Sequence, residues 1–92
     1  MDTNNFNPVD WQPQTFSRTT QGRRFDCNTL IMVNQGTQNV TIDGNLTLTP
    51  GQGFTFECYP GEINIHPYDI VFVNDQLNGC RLVTYSKLYT KK

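Results

Sequence analysis

The stretch VTIDGNLTLTPGQGFTFECYPGE, residues 40–62, decides the fold because its apolar and polar residues alternate between turns that contain glycine. Alternation with a period of two residues is typical of strands that bury one face. Two turns repeat a Pro-Gly pattern, TPGQ at 49–52 and YPGE at 59–62, with proline at the second turn position. The stretch therefore predicts short strands joined by tight turns, and its glycines and prolines have structural roles.

The first connection in this stretch is a hairpin whose loop length follows from parity. Val40 and Ile42 lie on one face of the first strand. Leu46 and Leu48 of the next strand join that face only if the loop has three residues, because a two-residue loop gives opposed positions opposite parity. Such a loop usually contains a type I turn followed by a left-handed residue, and Asn45 is the predicted left-handed position.

The remainder of the chain also favours strands, and no window shows a helical period of useful length. Short strands with turns every 8–12 residues are typical of a sandwich or a small barrel. The strands predicted at residues 27–34 and 80–89 are apolar on both faces, which indicates that both faces of each strand are covered. The predicted strands are CNTLIMVN (27–34), QNVTID (38–43), LTLT (46–49), GFTFEC (53–58), INI (63–65), DIVFVN (69–74) and CRLVTYSKLY (80–89).

Composition limits the class of protein further. A chain of 92 residues forms one small domain with a thin core. Charged residues make up 16% and the net charge is −1, which provides no basic field for nucleic acid. No apolar run approaches the ~20 residues that span a bilayer. The first residues lack the basic and apolar regions of a signal peptide, so we expect a soluble protein made in a cytosol.

Residues 1–26 differ from the rest and are predicted to form an extended N-terminal arm, followed by a β-sandwich domain over residues 27–92. The segment is polar, contains two prolines and shows no sustained period. Its apolar residues are mostly aromatic, and Phe6, Trp11 and Phe16 would each bury on the order of 150–250 Å² when docked. The arm is therefore expected to lie against its own sheet or against a neighbouring subunit.

Candidate reactive residues are few. Cys27, Cys58 and Cys80 cannot all pair within one chain and have no CxxC spacing, so buried free thiols are expected. His66 is the only histidine, and no spacing supplies the further ligands of a metal site, so we expect no metal and no cofactor. An enzyme is the third alternative, which two carboxylates or a histidine–carboxylate pair converging in a cleft would favour.

The only basic cluster contains Arg18, Arg23 and Arg24, with Phe16 and Phe25 beside it. Basic and aromatic residues together can bind single-stranded nucleic acid. The negative net charge and the nearby aspartates instead favour a contact with the carboxylates of a neighbouring subunit, and no nucleic-acid partner is expected.

Aromatic and amide side chains on a β-sandwich also suit carbohydrate binding, through stacking and hydrogen bonds. We favour the alternative that these aromatics fill the thin core or a subunit interface. One parity of the last strand holds Val83, Tyr85 and Tyr89, a surplus apolar face that the arm or another copy would cover. The candidate stacking residues are Trp11, Tyr59, Tyr68, Tyr85 and Tyr89.

Residues 28–89 carry a rhythm of turns and strands: N-x-G-x-x-x-V-x-I-D-G, then L-x-P-G-Q-x-F, then a final RLV strand. This rhythm resembles small all-β virion proteins of tailed bacteriophages, in particular those of crAss-like phages that infect gut bacteria. The resemblance implies a structural role without catalytic residues, as a capsid decoration or auxiliary protein or a head-fibre or neck-fibre attachment piece. It also implies homo-oligomers, often trimers.

These features predict an all-β chain that forms a small antiparallel β-sandwich, jelly-roll-like, with an extended N-terminal arm. The expected function is that of a non-enzymatic virion protein, made in the host cytoplasm, that assembles with itself and with other virion proteins and not with a membrane. The leading alternative is a carbohydrate-binding module used in host attachment. The predicted interface residues are Phe6, Trp11, Phe16, Arg23, Arg24, Tyr85 and Tyr89.

Overall fold

The computed structural model describes residues 11–59, 61–74 and 76–88. Within these ranges the chain forms eight β-strands and no helix, so none of its elements is a helix that could cross a membrane. The strands are β1 (Trp11–Phe16), β2 (Thr20–Arg23), β3 (Thr29–Asn34), β4 (Val40–Ile42), β5 (Leu46–Leu48), β6 (Gly53–Glu57), β7 (Tyr68–Phe72) and β8 (Leu82–Lys87).

The strands form two four-stranded sheets in which all neighbours are antiparallel. Sheet A has the order β1-β8-β3-β6, and sheet B has the order β2-β7-β4-β5. The all-β prediction is confirmed. In each sheet a strand from late in the sequence, β8 or β7, lies between two strands made much earlier.

The core lies between the inner faces of the two sheets. Leu30, Met32 and Leu82 of sheet A are fully buried in one cluster with Ile42 and Ile70 of sheet B. Burying an aliphatic side chain of this size contributes about 1.5–3 kcal/mol relative to leaving it exposed. The alternation that predicted these strands therefore places one apolar row of each sheet against the other.

The β4–β5 hairpin has the predicted register, because Val40 pairs with Leu48 and Ile42 pairs with Leu46. The prediction that Asn45 is left-handed was wrong. Asp43 and the following glycine have positive φ values of 54° and 75°, and the Asn45 amide donates to the Ile42 carbonyl at 3.2 Å. Two consecutive left-handed residues match the right-handed twist of the flanking strands, which explains why Asp-Gly takes these positions.

Both Pro-Gly turns form as predicted. The Gln52 amide donates to the Thr49 carbonyl at 2.9 Å, and the Glu62 amide donates to the Tyr59 carbonyl at 3.0 Å. Gly51 has a φ of 89°, the left-handed value that a type II turn requires at its third position.

Residues 11–23, which the sequence analysis placed in the arm, form β1 and β2 of the two sheets. The side chains of β1 are almost all exposed, and proline at residue 13 is tolerated there because β1 is an edge strand. A register irregularity interrupts β2, so neither strand shows a regular period. Residues 1–10 of the predicted arm lie outside the described residues.

Residues 63–65 were predicted as a short strand, and this prediction was wrong. Asn64 forms only an isolated antiparallel bridge with Cys27, in which the Asn64 amide donates to the Cys27 carbonyl at 2.7 Å. Ile63 and Ile65 on either side are exposed, so the alternation of residues 63–65 buries no apolar face.

Candidate functional site

The outer face of sheet A is the first candidate binding surface, and the strand register defines it. One row crosses all four strands with Pro13, Tyr85, Ile31 and Thr55, and the row beside it contains Val83 and Val33. The whole face is formed by Trp11, Pro13, Thr15, Lys87, Tyr85, Val83, Thr29, Ile31, Val33, Glu57, Thr55 and Gly53.

Apolar side chains occupy the middle of this outer face. Ile31, Val33 and Tyr85 are half-buried, whereas Trp11 at the edge is 40% exposed. The Lys87 ammonium lies 4.7 Å from the centroid of the Trp11 ring, a cation–π contact.

The outer face of sheet B differs in character. In its central pairs the outward positions are Thr41, Thr47 and Val71, which stand between the inward apolar residues of the same strands. Two threonines and one valine give that face a more polar surface. Of the two outer faces, the one on sheet A therefore carries the apolar surplus that the sequence indicated.

The structure separates the predicted interface residues into two groups. Trp11 and Tyr85 lie on the outer face of sheet A, in neighbouring strands and two residues apart in register. Phe16 faces inward, packs against the core and makes an edge contact with Phe25 at 6.1 Å between ring centroids. Phe16 is therefore engaged within the chain, because its parity in β1 is opposite to that of Trp11.

The two arginines of the predicted interface also have partners within the chain. The Arg23 guanidinium lies 5.3 Å from the Phe25 ring centroid and donates a hydrogen bond to the Gln14 side chain. Arg24 is exposed and pairs with Asp26 at 3.0 Å. The other two predicted interface residues, Phe6 and Tyr89, lie outside the described residues.

The second candidate is a pocket at one end of the molecule, where the β4–β5 and β6–β7 connections meet. Its volume is about 420 Å³, within the range of small-molecule sites. We call it the end pocket. Its lining residues are Asp43, Phe56, Cys58, Glu62, Ile63, Asn64, His66 and Tyr68.

Hydrogen bonds hold Asp43 and His66 together in the end pocket. His66 Nε2 lies 2.8 Å from Asp43 Oδ2, while the other oxygen, Oδ1, accepts a hydrogen bond from the Asp69 amide at 2.9 Å. The Asp43 amide in turn donates to the Asp69 carbonyl at 2.9 Å. The left-handed turn at Asp43 therefore aims its carboxylate at the start of β7 and fixes both of its oxygens.

A second chain of bonds orders the opposite side of the pocket. Asn64 Oδ1 accepts from the His66 amide at 3.0 Å, and Asn64 Nδ2 donates to the Tyr68 hydroxyl at 2.7 Å. Burial raises the pKa of the Tyr68 phenol above its ordinary value. Tyr68 therefore stays protonated, and because its oxygen accepts from Asn64, its hydrogen can be donated to a ligand.

A histidine–carboxylate pair in a pocket is the feature that would favour an enzyme. Covalent catalysis also needs a nucleophile within hydrogen-bond reach of the base. Cys58 lines the same pocket, but no hydrogen bond joins its sulfur to His66. Within the described ranges, no group of three or more His, Cys, Asp or Glu side chains could hold a metal ion. In this geometry the hydrogen bond between Asp43 and His66 joins the β4–β5 hairpin to the segment just before β7.

The three cysteines are free thiols, and Cys27 and Cys80 are buried as predicted, whereas Cys58 is only half-buried. Burial, followed by the charges of Cys58 and Asp26, raises the pKa of Cys27 from 9.0 to about 11. Its contribution to stability is therefore present below pH 9 and is lost as the pH rises from 9 to 11.

We expect Cys58, which is half-buried, to react first with a thiol reagent such as DTNB at about pH 8. Cys27 and Cys80 are buried and should react only as fast as the protein unfolds. The measurement is the time course of reagent release, with and without denaturant, and a Cys58→Ser variant should lose the fast phase. A fast phase that persists in this variant would contradict the prediction.

The contact between Asp43 and His66 was not predicted from the sequence. These residues are 23 positions apart, and they meet only because β4 pairs with β7. The Asp-Gly dipeptide predicted a turn, and the position of His66 before a proline indicated a strand end. Neither signal contains the register between β4 and β7 that brings the two side chains together.

Comparisons of the chain with protein-family models, with curated proteins and with solved structures found no match. Function must therefore be inferred from the two surfaces described above.

Proposed function

We propose that this chain is a non-enzymatic structural protein of a phage particle, a capsid decoration or auxiliary protein or a head-fibre or neck-fibre attachment component. It assembles with a second copy of itself and with other virion proteins. The observation that carries the proposal is the apolar outer face of sheet A, with Ile31, Val33 and Tyr85 at its centre. A sheet in a small domain normally leaves its outer face polar and wet.

The strand order supports a finer description of the fold as a jelly roll. The orders β1-β8-β3-β6 and β2-β7-β4-β5 correspond to two Greek keys wound together across two sheets. Jelly rolls occur in viral capsid proteins, in lectin domains and in cupins. The order is therefore compatible with the virion proposal and with the carbohydrate-binding alternative, and the surfaces must separate them.

The charges on the outer face of sheet A favour a second copy as its occupant. Lys87 and Glu57 lie in one row, on either side of Thr29. A two-fold axis parallel to the strands would place β8 of one copy over β3 of the other. Lys87 of one copy and Glu57 of the other would then face each other across the interface, with a sideways offset of one strand spacing, about 5 Å. Such a face is self-complementary, as a two-fold interface requires.

The size of the face indicates that other contacts contribute. Four strands of about five residues cover roughly 300 Å² in projection. A standard interface buries about 800 Å² per partner. In the proposal, residues 1–10 supply the remaining contacts, with Phe6 as the predicted anchor. A self-complementary face predicts dimers or even-numbered assemblies, whereas the phage resemblance implies trimers, so the solution mass separates the two.

A matched pair of lysine substitutions tests the face. Thr55 on β6 and Thr47 on β5 are both exposed, outward-facing threonines on edge strands, one in each sheet. Thr55→Lys should weaken self-association at least tenfold, because it places a charged side chain beside the apolar Ile31 in the contact. Thr47→Lys should leave it unchanged. The measurement is light scattering after size exclusion over a concentration series.

An unmodified protein that stays monomeric at high concentration would contradict assembly through this face. Equal effects of the two lysine substitutions would contradict the choice of sheet A.

The carbohydrate-binding alternative has a narrower basis than the sequence indicated. Among its candidate stacking residues, Tyr68 is buried, so it offers no platform. Trp11 and Tyr85 share the outer face of sheet A, and Tyr59 is 81% exposed near the end pocket. A monomeric protein that binds a glycan through this outer face would favour the alternative over self-assembly.

A further inference from the structure

We propose that the end pocket binds one pyranose ring of a glycan, a ring that is uncharged or carries an amine. This site does not depend on self-assembly, because its residues lie at the end of the molecule and not on the outer face of sheet A. It also differs from a platform of exposed aromatic rings, the kind of sugar site for which the sequence offered candidate stacking residues. Of the candidate stacking residues that the structure describes, Tyr68 alone lines the pocket, and it contributes a hydroxyl group.

The charge of the pocket selects against anions. Asp43 and Glu62 line it together with His66, and among the described residues no lysine or arginine lines it. A carboxylate or phosphate on the ligand would meet two carboxylates without a compensating guanidinium or ammonium group. Hydroxyl groups and amines are donors, so they satisfy the carboxylate oxygens that face the pocket.

Three polar groups in the pocket can contact a ligand. Glu62 Oε1 accepts a hydrogen bond from the Tyr59 amide at 2.8 Å, which leaves Oε2 to accept another. His66 uses Nε2 for Asp43, so Nδ1 stays open on a half-exposed ring. Tyr68 can donate its hydroxyl hydrogen, as described above. Because the Asp43 carboxylate accepts from His66 Nε2, Nδ1 of the neutral ring is an acceptor, and the three groups together supply two acceptors and one donor for the hydroxyl groups of a pyranose.

The same pocket has an apolar side. Phe56, which is partly buried against the core, and Ile63, which is 49% exposed, both line it. Tyr59 precedes the loop that contributes Glu62 and presents most of its ring to solvent. The C–H face of a pyranose packs on such apolar and aromatic surfaces while its hydroxyl groups reach the polar side.

The polar groups are held in place before a ligand arrives. Asp43 is fixed by Asp69, and Asn64 connects the His66 backbone with Tyr68. The carbonyl of Glu62 also accepts a hydrogen bond from the Asn28 side chain at 2.7 Å, which secures its loop. Groups that are already ordered cost less entropy when a ligand binds.

The first experiment is a calorimetric titration of the full chain with three hexasaccharides that differ in charge. The probes are a glucosamine hexamer, which carries amines, its N-acetylated neutral counterpart and a galacturonic acid hexamer, which is anionic. We expect the first two to bind and the anionic probe to bind at least tenfold more weakly. The proposal would be overturned if neither the glucosamine hexamer nor its N-acetylated counterpart binds, or if the anionic hexamer binds as tightly as they do.

Two carboxylate variants locate the site. Glu62→Gln keeps an oxygen that can accept from the Tyr59 amide, but it removes the charge from the pocket. It should weaken binding of the glucosamine hexamer about tenfold, the usual effect of losing one charge-assisted hydrogen bond. Glu57→Gln alters an exposed carboxylate on the outer face of sheet A and should leave binding unchanged.

If Glu57→Gln weakens binding as much as Glu62→Gln does, the glycan lies elsewhere and the assignment to the end pocket is overturned. The solution mass of each variant is measured in the same samples. An unmodified protein that forms an oligomer but binds no hexasaccharide overturns only the end-pocket proposal, whereas an unmodified protein that binds a hexasaccharide but stays monomeric overturns only self-assembly.

Discussion

Replacing Asn34 with aspartate should lower the free energy of unfolding by about 4 kcal/mol, because it turns a satisfied buried amide into an unpaired buried charge. Asn34 is 0% exposed. Its Nδ2 donates to the carbonyls of Gln38 and Leu48 at 2.7 and 2.9 Å, and its Oδ1 accepts from the Gly36 amide at 2.9 Å. Aspartate can keep the last of these bonds, but it aims an acceptor at two carbonyl oxygens.

The measurement is equilibrium unfolding in urea, followed by the fluorescence of the single tryptophan. Asn39→Asp makes the same chemical change at an exposed position and should stay within about 0.5 kcal/mol of the unmodified protein. The loss at position 34 should shrink as the pH falls to about 4, because a protonated carboxyl group can donate one of the missing bonds. If the free energy of unfolding falls by less than about 1 kcal/mol at neutral pH, the Asn34 side chain is not buried and hydrogen-bonded in the way described above.

The second large effect is expected at Gly36. A Cβ at this position would overlap the carbonyl oxygen of Gly79 and lie 2.7 Å from the amide nitrogen of Arg81, both backbone atoms. The adjacent loops are already joined, since the Thr37 amide donates to the Gly79 carbonyl at 2.8 Å. Gly36→Ala should therefore force the two loops apart and cost about 3 kcal/mol.

Gly44→Ala is the matched control for Gly36→Ala. Gly44 has a φ of 75°, but nothing lies within 4 Å of its added Cβ, so its cost is the conformational strain alone. That cost is about 1 kcal/mol, or roughly 4–8 °C in Tm for a domain of this size. Calorimetric melting should show a loss at Gly36→Ala about three times as large. Equal losses would contradict the close approach of the two loops.

The sequence predicted those parts of the fold that local rules determine. Parity alone gave the register of the β4–β5 hairpin, and the two Pro-Gly turns formed as expected. The strands β1 and β2 were missed because their side chains are largely exposed and a proline and a β-bulge interrupt them. They are strands because β8 and β7 offer them free edges, a condition that a local pattern does not contain.

The candidate site was less predictable than the fold. Tyr85 was expected to face outward, and it does, since its parity in β8 is that of Val83. The end pocket, by contrast, depends on which loops the topology brings to one end. Asp43 and His66 were both assigned to turns, and their pairing emerges only once β4 is placed beside β7.

The central positions of β7 and β8 determine when the chain can fold during its own synthesis. Before residues 68–87 leave the ribosome, β1 and β2 have no strand to pair with. The nascent chain can form only the β3–β6 and β4–β5 pairs, and each of these pairs leaves one side of β3 or β4 open. Closure must wait for β7 and β8, so folding depends on contacts distant in sequence, which form slowly. Until β7 and β8 are in place the unpaired edges of β3 and β4 are exposed, so strongly expressed protein should aggregate through these edges.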